Sequence, residues 1–252
     1  MKNLSTRQIV VAGLLGALTV VLGLSPVGGF IPVPTPAGSV TTMHIPTILA
    51  GILEGPVVGA LVGFIFGLFS FWRAQTQANP VARMLFTDPL IAFVPRILIG
   101  VVAYYAYALS SGSTSRNIAS IGLGAVFGLT IHAGIVHAFP GLAATVGAAV
   151  VAVAAGVVAA YWAQRILRTE KSGPVIGALL GTATNTAGVL GLAVFRGYLT
   201  APVAQGVAVL HGVPEMLVAA ILVAAIYKGV TYHLPRFRKE TQASKPAAKK
   251  VF

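Results

Sequence analysis

Apolar segments recur along almost the whole chain, near residues 8–24, 43–54, 56–72, 89–110, 117–138, 141–166, 174–195 and 214–232, with hardly a charge inside them. A helix that crosses a bilayer needs about 20 predominantly apolar residues. Only 9% of the 252 residues are charged and the mean hydropathy is +0.88; a soluble domain carries roughly a quarter charged residues. The expected fold class is therefore all-α: a polytopic membrane helix bundle of about eight spans. Met1–Leu24 reads as a retained first span, because no short apolar leader with a small-residue cleavage site stands apart from it.

The second and third segments form one apolar run broken only by Glu54-Gly55-Pro56. A proline after a glycine favours a turn there, and the distribution of basic residues agrees. With a turn at 54–56 and a cytoplasmic N-terminus, only Arg73, Arg83 and Arg196 fall outside and Arg96 lies within a span. Every other Lys and Arg then lies on or near the inner side, as cytoplasmic loops require. Both termini are expected inside, and the net charge of +12 reflects loop sidedness rather than nucleic-acid binding. Residues 1–235 form the membrane domain, and 236–252 a solvated basic cytoplasmic tail whose sharper alternative is contact with anionic membrane lipid.

Several chemistries are missing. Cysteine is absent, and no G-x-x-x-x-G-K-[ST], H-E-x-x-H or G-x-S-x-G occurs. His132 and His137 are spaced poorly for one helix face, so no metal and no cofactor is expected. Coupling-ion transport usually needs acids inside the membrane, yet the chain has five acidic residues, of which only Glu54 and Glu215 are plausible. Glu215, after Pro214, reads as a first-turn acid at a helix start, with a site role as the alternative.

Polarity that lipid would not tolerate is concentrated in four places. The uncharged Pro/Gly loop 25–46 ends in Thr41, Thr42 and His44; the segment 73–89 carries Phe86 and Asp88; Arg96 sits about two turns inside its span; and "GTATNTAGVL" (181–190) holds Thr182, Thr184, Asn185 and Thr186. An arginine inside a membrane costs at least about 2.5–3.5 kcal/mol on insertion scales. It must snorkel, pair with Asp88 or Glu215, or meet an anionic or strongly accepting ligand. Asn185 has more hydrogen-bonding capacity than its own helix can satisfy, so it bonds another helix or faces a ligand. Glycines at four-residue spacing (Gly59, Gly63 and Gly67; Gly124 and Gly128; Gly177 and Gly181) allow close helix packing within one bundle.

The runs "TTMHIPTILAGILEGPVVGALVGFIFGL" (41–68), "FTDPLIAFVPRILIGVVAYYAY" (86–107), "GTATNTAGVLGL" (181–192) and "HGVPEMLVAAI" (211–221) resemble the substrate-binding S-components of energy-coupling factor (ECF) vitamin transporters, and most of all the pantothenate-type branch. The resemblance implies a six-helix membrane subunit of the bacterial plasma membrane that captures a water-soluble vitamin outside the cell. It also implies an ECF module as partner, made of a transmembrane coupling subunit and two ATPase subunits, so this chain would be no enzyme. Arg96, Asn185, Thr41, Thr42, His44, Thr184 and Glu215 are the expected substrate-binding residues, with Arg96 facing a carboxylate. The small residues of the first span, Gly13 with Ala17 or Ala12 with Gly16, match the family's docking face. The chain departs from the family by the Ala/Gly/Val-rich pair of segments at 117–166, expected to be a peripheral hairpin that leaves the site alone. Rival readings are an S-component for a neutral precursor such as hydroxymethylpyrimidine, a self-sufficient secondary transporter, and a membrane enzyme acting on a lipid-linked substrate.

Overall fold

Prolines mark where many of the helices begin. In the computed structural model, α3 (Pro56–Thr76), α4 (Pro80–Phe86) and α5 (Pro89–Leu109) each open on a proline, and α2 (Ile45–Glu54) carries one at its second position. A first-turn proline loses no helical hydrogen bond and has its φ already set. The first helix, α1 (Thr6–Leu24), starts instead with a reciprocal capping box between Ser5 and Gln8. Between α1 and α2 runs a short antiparallel ribbon, β1 (Phe30–Pro32) against β2 (Ser39–Thr41), with Phe30 opposite Thr41. The chain continues through α6 (Leu142–Leu167), α7 (Ser172–Phe195), α8 (Ala201–Val207), a π-helical turn (Ala208–Gly212) and α9 (Val213–His233). The structure describes residues 4–25, 29–32, 39–76, 80–110, 141–167 and 172–233, with scattered helical positions between 117 and 136.

The expected helical bundle is found, with six helices among the described residues long and apolar enough to cross a membrane. Two boundaries differ from expectation. The 43–54 segment is a helix of only 10 residues, about 15 Å long, half the hydrocarbon thickness. The extended chain of β2 leads into it, and nearly all of α2 is buried among its neighbours; irregular backbone is tolerated at membrane depth only under such cover. The last span starts not at 214 but at 201, because α8, the π turn and α9 form one continuous helix of 33 residues. Pro214 has no N–H to offer the carbonyl of Leu210, four residues back, and a π turn is a way for a helix to absorb such a defect.

The turn at Glu54-Gly55-Pro56 is real. Gly55 has φ 100°, and a Cβ placed on Gly59 would lie 2.8 Å from the Cα of Gly51, so α2 and α3 fold back on each other. Arg7 pairs with Glu54 at 2.8 Å and pins the start of α1 to that turn. At the opposite end Arg73 donates to the carbonyl of Gly23.

The glycine stripes pack inside the bundle as expected. Gly59, Gly63 and Gly67 press α3 onto α5, where Gly100 answers Gly59, and Gly124 and Gly128 face Ala152 and Gly156 of α6. A Cβ on Gly63 would collide with the carbonyl oxygen of Arg96, whereas one on Gly13 would meet nothing within 4 Å. Gly63→Ala should therefore lower thermal stability by about 1–3 kcal/mol, although alanine is the better helix former by about 1 kcal/mol. Gly13→Ala is the control and should hold or slightly gain. Equal unfolding temperatures for the two variants in detergent would show that α3 and α5 are not in this close contact.

The 117–166 material enters and leaves at one end of the bundle: a Cβ on Gly173 would lie 2.8 Å from Ser110 Oγ. α6 rests on α7 at the rim, and among the described residues none between 117 and 167 lines the cavity described next. His132 is one of these; His137 and the basic tail 236–252 lie outside the described residues.

Candidate ligand-binding site

A cavity of about 570 Å³ opens among α3, α4, α5, α7, the β ribbon and the long last helix. Its walls are mostly apolar: Phe66 and Phe69 from α3, Leu85 and Phe86 from α4, Val189 and Leu190 from α7, with Leu199, Val203 and Val207 beyond. The polar groups are few and come from different elements: Arg96, Asn185, Thr186, Thr41, Glu215, His211, Ser70 and Arg73. A concave apolar space with a handful of placed polar groups is the usual form of a small-molecule site.

Arg96 owes its place to its neighbour. Pro95 has no N–H, so the carbonyl of Ile91 lacks its helical donor. Arg96 Nη1 supplies one, at 2.6 Å. The guanidinium carbon lies 4.5 Å from the centre of the Phe86 ring and 5.4 Å from that of Phe66, so the cation sits between two aromatic rings. Its Nε has no hydrogen-bond partner although the residue is buried. Of the two carboxylates considered for it, Asp88 is committed elsewhere: it caps α5 through Leu90 N at 2.9 Å and pairs with Arg196 at 2.9 Å. Glu215 is within electrostatic reach of Arg96, and its Oε1 accepts the backbone N–H of Thr41 at 3.0 Å.

Asn185 reaches the same cavity from α7. Gly188 packs on Pro95 and Gly177 on Ala103, so the antiparallel register brings Asn185 to within about one turn of Arg96. Its Oδ1 is buried without a partner.

The seven expected substrate-binding residues thus divide. Thr41, Arg96, Asn185 and Glu215 line the cavity; Thr42, His44 and Thr184 do not. Thr184 turns away and donates to the carbonyl of Leu180 at 2.7 Å, a threonine satisfying itself on its own helix. Thr42 and His44 are buried where β2 leads into α2. Glu215 is not the first-turn acid of a new helix, because the helix runs unbroken through it. The expected docking residues divide as well. Ala12 and Gly16 are buried against α3 and its neighbours, while Gly13 and Ala17 face outward. His211 and Phe66, one of the two rings around Arg96, were not singled out from sequence. Pro214 within an unbroken apolar run was the available signal for His211; Phe66 had none.

A family model described as "ECF transporter, substrate-specific component" matches residues 7–138, just over half of the chain. A pantothenate transporter of Leuconostoc mesenteroides subsp. mesenteroides is 30% identical over 135 residues, covering 51% of this chain and 64% of that protein. A pantothenic acid transporter of Lactococcus lactis subsp. cremoris is 31% identical over 94 residues, covering 32% and 47%. The chain thus matches less than two thirds of the length of either relative.

Proposed function

The chain belongs to the substrate-specific component family of ECF transporters, and from that premise we propose that it captures pantothenate for import. It is a multi-pass membrane protein, and in this reading it lies in a bacterial plasma membrane with both termini cytoplasmic and the cavity facing outward. A coupling membrane subunit and two ATPase subunits supply the energy, since nothing in this chain binds ATP by a P-loop.

The observation that carries the ligand is the pairing of Arg96 with Asn185 at one level of one cavity. Pantothenate has a carboxylate for the guanidinium, an amide and hydroxyls for Asn185 and Glu215, and a dimethyl-substituted carbon for the apolar walls. One oxygen of Glu215 is held by Thr41 N, which leaves the other to accept from a ligand hydroxyl. That both curated relatives are pantothenate transporters supports the same reading.

Mass spectrometry of small molecules retained by the purified protein tests it. The expected result is pantothenate, displaced by added pantothenate and not by a pyrimidine. Retention of an uncharged pyrimidine instead would overturn the carboxylate reading, and tight association with no ATPase subunits in the native membrane would overturn the family mechanism.

A further inference from the structure

The strongest unexplained feature lies just beneath the cavity, on the seam between α2 and α7. A Cβ on Gly177 would lie 2.9 Å from Ile52, and one on Gly181 2.9 Å from Ile48. Four residues forward on one helix are thus matched by four residues back on the other. The same antiparallel register sets Thr47 level with Thr182, and, one turn nearer the ribbon, His44 level with Asn185.

All four of these residues are buried, and His44, Thr47 and Thr182 have no solvent exposure at all. Both ring nitrogens of His44, the hydroxyls of Thr47 and Thr182, and Asn185 Oδ1 have no hydrogen-bond partner. Unpartnered polar atoms in the membrane interior are costly, so those that share a packed seam gain by pairing with each other. Asn185 is the one member that also lines the cavity.

We propose that His44 is a positioning residue for the ligand site: the structure leaves the two groups unbonded, and a turn of the two side chains lets the ring N–H of His44 hold Asn185 Oδ1 across the α2–α7 seam and point the amide NH2 into the cavity. An imidazole carries one donor and one acceptor. The second ring nitrogen can then accept the hydroxyl of one threonine of the same seam, so His44 links three of the four groups. The consequence is chemical selectivity. An asparagine free to rotate offers a ligand either a donor or an acceptor, whereas one held by its oxygen offers donors only. Beside Arg96 it then makes a wall of donors, suited to the carboxylate and carbonyl oxygens of a ligand. Glu215 is left as the accepting side. The ligand used in the test rests on the reading of the site given above.

The test is a double-mutant cycle on the purified full-length protein, read twice: by binding of radiolabelled pantothenate and by thermal unfolding without ligand. His44→Leu should weaken binding about tenfold although His44 does not line the cavity. In an Asn185→Leu background it should weaken binding further by less than roughly twofold, because the interaction is already gone. His44→Gln, which keeps an N–H, should recover most of the affinity. Affinity unchanged in His44→Leu, or losses that multiply in the double variant, overturns the proposal. Should His44→Leu fail to fold, His44→Phe keeps the ring volume without the nitrogens and is held to the same outcomes. Should the wild-type protein not bind pantothenate, the ligand reading falls, and the unfolding cycle still decides: a double variant that loses less stability than the sum of the single variants supports the seam, and additive losses overturn it.

Discussion

Arg96→Met loses pantothenate by about tenfold to hundredfold, the equivalent of a charge-assisted hydrogen bond worth roughly 1.5–3 kcal/mol. The structure adds a second effect, because the same guanidinium donates to the carbonyl left without a donor by Pro95. Methionine strands that carbonyl as well, so stability falls together with affinity. Arg96→Gln separates the two: its amide can still donate to Ile91 while the charge is gone. Affinity should therefore fall in both variants, with Arg96→Gln the more stable. Measured by equilibrium binding and thermal unfolding, an Arg96→Gln protein that binds like wild type would show the arginine to be purely structural. The case for an anionic ligand would go with it.

The second large effect concerns the outer face of α1. Ile9, Leu14, Leu18 and Val21 are exposed there, alongside Gly13 and Ala17. Where small residues let a partner helix approach, a bulky one holds the backbones apart. Ala17→Trp should weaken docking to the ECF module by about 1–3 kcal/mol, roughly five- to hundredfold. Uptake by cells should collapse, while the isolated protein binds its ligand as before. Gly16→Leu should behave differently: a Cβ there already approaches Ile65 closely, so this variant loses folded protein. If Ala17→Trp lowers binding and uptake together, that face belongs to the bundle and docking lies elsewhere.

What the sequence made legible follows from the expense of polarity in lipid. Arg96 and Asn185 stood out because neither can be satisfied by an apolar helix alone, and both line the cavity. The glycine stripes were legible because side-chain volume decides how closely backbones approach. The misreadings have equally physical origins. A segment of α2's composition looks like a truncated span unless one knows that neighbouring helices cover the extended chain leading to it. Pro214 resembled a helix start because prolines do open several helices of this protein, and only the π turn shows that the last helix continues through it. Threonines 182, 184 and 186 could not be sorted by type. Position alone separates the one bonded to its own helix, the one in the seam and the one in the cavity. The small residues of α1 repeat every four positions on two adjacent tracks, so composition left the inward and outward tracks equivalent.

Under the proposed function, in which a captured ligand is later released, the Pro95 defect has a further consequence. A guanidinium whose only acceptors were on the ligand would be stranded at the moment of departure, and the exit barrier would carry the whole cost of that exposure. Here the cation already has the Ile91 carbonyl and the Phe86 and Phe66 rings as partners within the protein. Escape then involves only the difference between two tolerable arrangements. By removing one hydrogen from the backbone of α5, a proline makes an intramembrane arginine suited to transient possession.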